Sequence, residues 1–402
     1  MSRGKHRLFR GIALFAVAAL ALGACGDDDD GGSGSGSASG SGDTPTKTVK
    51  IAFVGPLTGD AANLGINIRN GIKVALDDAN KAAGDVRVEM VEFDTQGDPA
   101  QAATVKDRYI NDSSIIGIVG PTFSGETKAV LPDLQANGLV MVSASATNVL
   151  LPTTVANQTV FHRLIPDDDV QGKGVADYIT KKLAAKKVAY IHDNSEYGKG
   201  LAEGTQKLVN AGGAASALID AIDPKAQDYS SAVNKVKAAA PDVIFYGGYY
   251  AEAGRLKKQL TDAGVKATFV SGDGALDPGF IASGGAGAEG AQITCPCNLA
   301  TVDAGGKLGE FAKKYKALNN ADPGTYSTEG YDAASLLVDG IKKGNDTRQK
   351  LLDFVEKLES FDGIGKKIAF EANGNITATG VFFFEVKGGK LTLLGTTEEL
   401  VK

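Results

Sequence analysis

The feature that most constrains the fold is an alternation that occurs twice. From Val49 onward, short uninterrupted apolar runs are separated by longer amphipathic stretches. A first set of candidate strands begins at Val49 (VKIAFV), Arg87 (RVEMVEF), Ile115 (IIGIV) and Leu139 (LVMV). A second set begins at Lys187 (KVAYI), Ala215 (ASALI), Asp242 (DVIFY) and Thr268 (TFVS). Between the first two runs, Ile68, Ile72, Ala75, Leu76 and Ala79 recur at helical spacing and form one stripe. Apolar strands with helices between them belong to parallel sheets covered on both faces. The doubled pattern therefore predicts two similar Rossmann-like α/β lobes rather than one large sheet.

Open α/β sheets take ligands at the carboxyl ends of their strands, so two facing lobes would place both sets of loops across one cleft. The loops that begin where an apolar run stops are GPLTGDAANLG (55–65), GPTFSGE (120–126), SASATN (143–148), HDNSEYGKG (192–200), GGYYAEAG (247–254) and SGDGALD (271–277). Several are rich in Ser, Thr and Gly where a helix would start. A helix start presents unpaired N–H groups and a partial positive field, which suits a carboxylate held near Ser124 and Thr147. The same hydroxyls would also serve as plain helix caps. Asp273 lies between Gly272 and Gly274, where backbone can approach closely and the carboxylate could face a cation; a turn-forming Asp is the alternative. Tyr197, Tyr249, Tyr250, Tyr326 and Tyr331 are placed in or near loops, as walls of a site or as surface packing.

The chain opens on a leader. Arg3, Lys5, Arg7 and Arg10 precede an apolar run from Gly11 to Leu22 and small residues up to Cys25. This order reads as a secretory signal over residues 1–24. The run is about 12 residues, too short for a membrane span of roughly 20. LGAC (22–25) resembles the lipobox of bacterial lipoproteins, which implies cleavage before Cys25 and lipid attachment to its thiol. Two or three acyl chains hold a protein firmly, at about 0.8 kcal/mol per buried methylene. The Asp-, Gly- and Ser-rich tract that follows, within residues 25–47, cannot bury enough surface to order itself and reads as a tether with a reach of about 25 Å. The expected location is the outer face of the cytoplasmic membrane, in a periplasm or at a cell surface.

Charge and cysteine content exclude several classes. Removing the four positive charges of the leader takes the formal net charge from −6 to −10, which argues against nucleic acid as a partner. Cys295 and Cys297, in TCPCN, are the remaining thiols; an exported compartment permits a bridge between them, in a small and strained ring. A Cys-x-Cys with distant histidines is too poor in ligands for zinc, and no cofactor is expected. His192, Asp193 and Ser195 invite a hydrolase reading, but residues this close on one loop rarely set an imidazole between nucleophile and carboxylate. GAGAEG (285–290) matches a dinucleotide fingerprint but follows a loop rather than a strand. The chain is expected not to be an enzyme.

VKIAFVGPLTGDAANLG, EFDTQGDPAQA, HDNSEYGKGLAEG and PDVIFYGGYYAEAGRLKKQLTDAG resemble the leucine/isoleucine/valine-binding proteins, the solute receptors of branched-chain amino-acid ABC importers. The similarity runs over about residues 48 to 395. It implies the type I periplasmic binding protein fold, two α/β lobes joined by three crossover segments and closing on an amino acid. The implied first lobe is 48–165 plus 297–376, the second 166–296 plus 377–402. By position, the hydroxyl and amide of Ser124, with Thr147, would hold the ligand carboxylate. The Ser145 carbonyl and Asp273, where the family commonly has Glu, would take the ammonium. Tyr197 and Tyr249 would close over the ligand from the second lobe, and Tyr326 would lie near its side chain. Phe123 and Gly97 stand at positions that carry a disulfide in some members, and Leu64 where some have Tyr. The resemblance implies a monomer that delivers an aliphatic L-amino acid to a membrane permease. A sensor of the same fold, or a receptor for an amide or an aromatic amino acid, are the alternatives.

Overall fold

The computed structural model describes residues 47–82 and 85–402. The leader, Cys25 and the tract up to Thr46 lie outside the described residues. Strands β1 (Lys47–Gly55), β2 (Val86–Asp94), β3 (Ile115–Val119), β4 (Met141–Ser143) and β5 (Phe161–Arg163) form a first, wholly parallel sheet in the order β2-β1-β3-β4-β5. Helices α1 (Ala62–Lys81), α2 (Pro99–Ile110) and α3 (Ser124–Ala136) follow its first three strands. The predicted stripe on α1 is the one that buries Ile68, Ile72, Ala75 and Leu76, while Ala79 is partly buried.

The chain then continues through α4 (Asp168–Asp177), β6 (Lys187–His192), α5 (Glu196–Ala211), β7 (Ala215–Ala221), α6 (Ser230–Ala239), β8 (Val243–Gly247), α7 (Tyr250–Asp262), β9 (Thr268–Ser271), α8 (Pro278–Gly284) and β10 (Gln292–Cys295). It returns through α9 (Gly306–Asn319), α10 (Ser327–Lys342), α11 (Arg348–Glu356), the short strands β11 (Phe361–Asp362) and β12 (Lys367–Ile368), and ends in β13 (Phe382–Lys387), β14 (Lys390–Thr396) and α12 (Thr397–Leu400). The second sheet has the order β14-β13-β10-β9-β8-β6-β7, with β13 and β14 antiparallel and the other five strands parallel.

Two differences from the sequence reading stand out. Each sheet has a fifth parallel strand, β5 and β10, and the second is extended by the β13–β14 hairpin. β5 is three residues long and carries His162 and Arg163, so no apolar run marks it, yet both side chains are buried. The hairpin turns at Gly388 and Gly389, both with positive φ (58° and 70°), the backbone a two-residue turn of this twist needs. Gly-Gly between alternating runs was a legible hairpin signal.

The two halves are connected three times, after β5, after β10 and between β12 and β13. α10 and α11 pack on β3, and α9 on α1. The closest helix contact is between α1 and α10. A Cβ on Gly71 would come within 2.2 Å of the Ser327 carbonyl oxygen, and one on Gly330 within 2.6 Å of the Ile68 carbonyl oxygen. With no side chain at either place the two backbones touch, which seats the start of α10 directly on the middle of α1.

Candidate functional site

The carboxyl ends of both sheets face each other, and their loops meet. Each half starts a helix in the same way. In α3 the N-cap is Phe123, and the buried Glu126 accepts from the Phe123 N–H at 2.7 Å. In α7 the N-cap is Tyr249, and the buried Glu252 accepts from the Tyr249 N–H at 2.7 Å. Burial pushes the Glu126 carboxyl up to about 7 and the Glu252 carboxyl up to about 8. Because a backbone-bonded Glu caps each helix, the N-cap side chain is free to be aromatic. The two rings meet across the halves with centroids 4.4 Å apart, and Tyr197 continues the row 5.3 Å from Tyr249. The Phe123 ring also lies over Gly97, where a Cβ would come within 3.0 Å of it.

Behind this aromatic row the polar loops are knitted together. The Ser124 hydroxyl occupies the first helical position rather than the cap and accepts from the Asn148 N–H at 3.2 Å. The Ser145 hydroxyl donates to the Thr122 carbonyl at 2.6 Å, and the Ser143 hydroxyl to the Pro121 carbonyl at 2.7 Å. Thr147 is fully buried and its hydroxyl has no hydrogen-bond partner. The start of α3, with its free N–H groups, and the 145–148 loop therefore form one polar wall of the first half.

The facing wall carries Asp273, fully buried on a one-turn 3-10 helix after β9. The Tyr197 hydroxyl donates to Oδ1 and the Tyr326 hydroxyl to Oδ2, each at 2.6 Å. Tyr197 also accepts from the Gly274 N–H at 3.0 Å. The flanking glycines are needed for this closeness: a Cβ on Gly272 would come within 2.6 Å of the Tyr197 hydroxyl oxygen, and one on Gly274 within 2.8 Å of the Gly248 carbonyl oxygen. Tyr326 reaches across from the N-cap of α10 with φ of 67°, a left-handed backbone costing about 1–3 kcal/mol in a non-glycine residue. Burial raises the Asp273 carboxyl, and the tyrosine bonds oppose that shift.

Sequence reasoning missed Asp168. It is the first residue of α4, its N–H donates to the Thr147 carbonyl at 3.0 Å, and its side chain is buried with neither oxygen in a hydrogen bond. Burial first, and the neighbouring Asp273 charge second, hold its carboxyl well above the usual range; the Thr147 hydroxyl is close enough to favour ionisation but is not aligned as a hydrogen bond. The run Asp167–Asp169 gave an acidic helix start as its signal, and Asp167 is indeed the cap, accepting from the N–H groups of Asp169 and Val170. Which of the three turns inward depends on the helix's seat, not on local sequence.

All eight residues singled out as ligand-binding candidates, Phe123, Ser124, Ser145, Thr147, Tyr197, Tyr249, Asp273 and Tyr326, thus belong to the two facing walls. Further bonds hold those walls together: Asn63 Nδ2 to Asp277 at 2.9 Å, Asn148 Nδ2 to the Glu196 carbonyl at 2.7 Å, Thr325 Oγ1 to the Leu276 carbonyl, and the ion pair of Lys128 with Glu196 at 2.9 Å. A cavity of about 440 Å³ lies at the mouth, lined by Gly97, Phe123, Gly125, Lys128, Glu196 and Tyr249 among others. Tyr250 joins the inter-wall contacts through the Asn63 N–H, whereas Tyr331 lies apart, bonded to Asp78.

The hydrolase arrangement is not formed. Ser195 caps α5: its hydroxyl donates to Asp193 at 2.7 Å and accepts from the Gly198 N–H at 2.8 Å, while His192 Nδ1 accepts from the Asn194 N–H. No imidazole lies between nucleophile and carboxylate. Cys295 and Cys297 are bonded to each other in a buried bridge at the end of β10, with Cα atoms 5.1 Å apart. Among the described residues no group of three or more His, Cys, Asp or Glu side chains is placed to hold a metal ion, and no helix is long and apolar enough to cross a membrane.

Known proteins resemble this chain in sequence and fold. The profile of the periplasmic binding protein family matches residues 48–390. A Leu/Ile/Val-binding protein homologue of Brucella melitensis is 31% identical over 351 residues, covering 85% of this chain and 92% of its own. A leucine-, isoleucine-, valine-, threonine- and alanine-binding protein of Pseudomonas aeruginosa is 28% identical, covering 94% and 95%. Among solved structures, the branched-chain amino-acid transporter substrate-binding protein of Streptococcus pneumoniae, in complex with isoleucine, superposes with a TM-score of 0.78 at 27% identity, over 87% of this chain and 99% of that one. These relatives are substrate-binding proteins, not enzymes. The chain belongs to the periplasmic binding protein family, in its branch of Leu/Ile/Val-binding receptors, and has that family's two-lobed type I fold.

Proposed function

We propose that this protein is the lipid-anchored solute receptor of an ABC importer, which binds an aliphatic L-amino acid between its lobes and delivers it to a membrane permease. The observation that carries the reading is the buried Asp273 carboxylate facing the hydroxyl-rich helix start at Ser124, with the buried Asp168 between it and Thr147. A zwitterion supplies what each wall lacks, since a buried charge without a partner is costly. In this reading the ammonium is taken by Asp273, with Asp168 beside it and the Ser145 carbonyl as acceptor. The carboxylate is taken by the Ser124 and Thr147 hydroxyls and the N–H groups at the start of α3. Tyr197 and Tyr326 aim Asp273, and Phe123 and Tyr249 close over the side chain. Closure moves one body, residues 48–165 with 297–376, against the other, 166–296 with 377–402; it follows binding because only the closed form touches the ligand from both sides. Cys25 anchors the monomer at the outer face of the membrane.

A thermal-shift screen over L-amino acids, their amides and aromatic amino acids tests this. A ligand at 100 times its Kd adds about 2.7 kcal/mol to stability, so leucine, isoleucine or valine should raise Tm by several degrees. A response to amides alone would move the assignment away from amino acids, and silence across the whole set would remove it.

A further inference from the structure

The 145–148 segment carries Thr147, yet it belongs to no strand or helix, so its backbone groups are satisfied from outside it. Arg163, the last residue of β5, does most of this with a fully buried side chain. Its Nη1 donates to the Ala146 carbonyl at 3.2 Å and to the Asn148 carbonyl at 2.9 Å, the two carbonyls on either side of Thr147. The carbonyl of Thr147 itself accepts from the Asp168 N–H at 3.0 Å. Arg163 Nε donates to Asn375 Oδ1 at 2.9 Å and Nη2 to Asp167 Oδ2 at 3.2 Å. Asn375 Nδ2 donates to the same Asp167 oxygen at 3.2 Å. The guanidinium is therefore fixed at all three nitrogens, two of them by side chains that are themselves tied together.

We propose that Arg163 is a positioning residue for the ligand carboxylate: by holding the Ala146 and Asn148 carbonyls from behind, it presents the Thr147 N–H and hydroxyl to that carboxylate. A planar trans peptide points its C=O and the next N–H in opposite directions, and among the described residues only the Gly120–Pro121 bond is cis. The peptide after Thr147 shows the consequence, with its carbonyl on Asp168 and its N–H on the Ser124 hydroxyl at 3.2 Å. By the same geometry, the Ala146 carbonyl on Arg163 sends the Thr147 N–H away from the guanidinium. The Thr147 hydroxyl is buried and has no partner, so a ligand oxygen supplies what the protein does not. A cation at the carbonyl end of these peptides also polarises their N–H groups in the direction a carboxylate needs. Charge alone does not replace this. A lysine at 163 keeps a cation beside Asp167 and Asp168 but has no planar fork to hold two carbonyls, Asn375 and Asp167 at once.

This role rests on the receptor reading for its ligand, and titration calorimetry with two probes separates the two. The probes are the tightest binder among L-leucine, L-isoleucine and L-valine, and the amino alcohol of the same side chain, which keeps the ammonium but has a hydroxymethyl group in place of the carboxylate. Arg163→Lys should raise the Kd of the amino acid about 10- to 100-fold, the worth of one hydrogen bond to a charged group. The Kd of the amino alcohol should rise less than about threefold, whereas a purely structural role would weaken both probes by the same factor. If the alcohol binds too weakly to titrate, Thr147→Val decides. It should weaken the amino acid about 10-fold in wild type but less than about threefold when added to Arg163→Lys, which has already lost what Thr147 supplies. Asn375→Ala releases Arg163 Nε, should shift the two probes in the same sense by a smaller factor, and serves if Arg163→Lys does not fold. An amino-acid Kd within about threefold of wild type in Arg163→Lys, an equal loss for both probes, or an additive effect of Thr147→Val overturns the proposal. If wild type binds none of the three amino acids, the receptor reading fails and this role falls with it.

Discussion

Replacing Asp273 by Asn should separate the ligand's demand for a charge from the fold's demand for a hydrogen-bonded group. The Asp273 carboxylate is fully buried and receives the Tyr197 and Tyr326 hydroxyls. An Asn of the same shape accepts from one tyrosine and donates to the other, so both remain satisfied, and removing a desolvated charge offsets the weaker bonds. Unfolding free energy should therefore change by no more than about 1 kcal/mol. With ligand the balance differs, because a buried ammonium loses its carboxylate, a loss of about 2–5 kcal/mol. Asp168 decides where in that range the variant falls. Its carboxyl is held up partly by the Asp273 charge; once that charge is gone it ionises more readily and stands in. Asp273→Asn alone should fall near 2 kcal/mol, about a 30-fold rise in Kd, and Asp168→Asn with Asp273→Asn near 5 kcal/mol, about 5,000-fold. Isothermal titration with L-leucine, paired with urea unfolding of the ligand-free variants, reads both quantities. If the double variant, still folded, bound leucine within threefold of wild type, the ammonium would have to lie elsewhere and the reasoning would be wrong.

Two further outcomes follow from the helix starts and the helix crossing. Glu126 is a fully buried carboxyl raised from 4.5 to about 7. The folded state thus holds its proton more tightly than the unfolded one, and its contribution is complete below about pH 4.5 and lost as pH rises through about 7, on the order of 3 kcal/mol in all. Urea unfolding at pH 5.5 and 8.5 should show wild type losing stability over that interval and Glu126→Gln losing less; parallel losses would refute the assignment. Gly71→Val forces a side chain onto the Ser327 carbonyl, 2.2 Å from the built Cβ, and should cost about 1–3 kcal/mol or more by overpacking, read as a fall in Tm. An unchanged Tm would mean that α1 and α10 can part at no cost.

How much of this was legible beforehand depends on the range over which each feature is encoded. The strand and helix alternation is local: an apolar run such as IIGIV reports its own burial, and all eight candidate strands lie within two residues of observed ones. The loops at their carboxyl ends follow from the α/β rule, which is why Ser124, Thr147, Tyr197, Tyr249 and Asp273 could be expected to lie on facing loops. Gly272 and Gly274 marked Asp273 because a tight backbone approach leaves its trace in residue type. Short β5 left no such trace. Its burial comes from pairing with β4, and Arg163, fully buried, is satisfied by Asn375, the Ala146 and Asn148 carbonyls and Asp167, partners drawn from several segments.

Sequence alone determined the class of architecture and the placing of hydroxyls, tyrosines and Asp273 on strand-end loops, since amphipathic period, helix starts and glycine spacing are properties of a few adjacent residues. Tertiary structure alone decided that Asp168 and not Asp169 turns inward beside Asp273, that the rings of Phe123 and Tyr249 meet, and that Arg163 joins the Thr147 loop to Asn375. Those facts are distances between residues tens to hundreds of positions apart. No local preference encodes such a distance; it exists only once both sheets have packed and the helices have taken their seats.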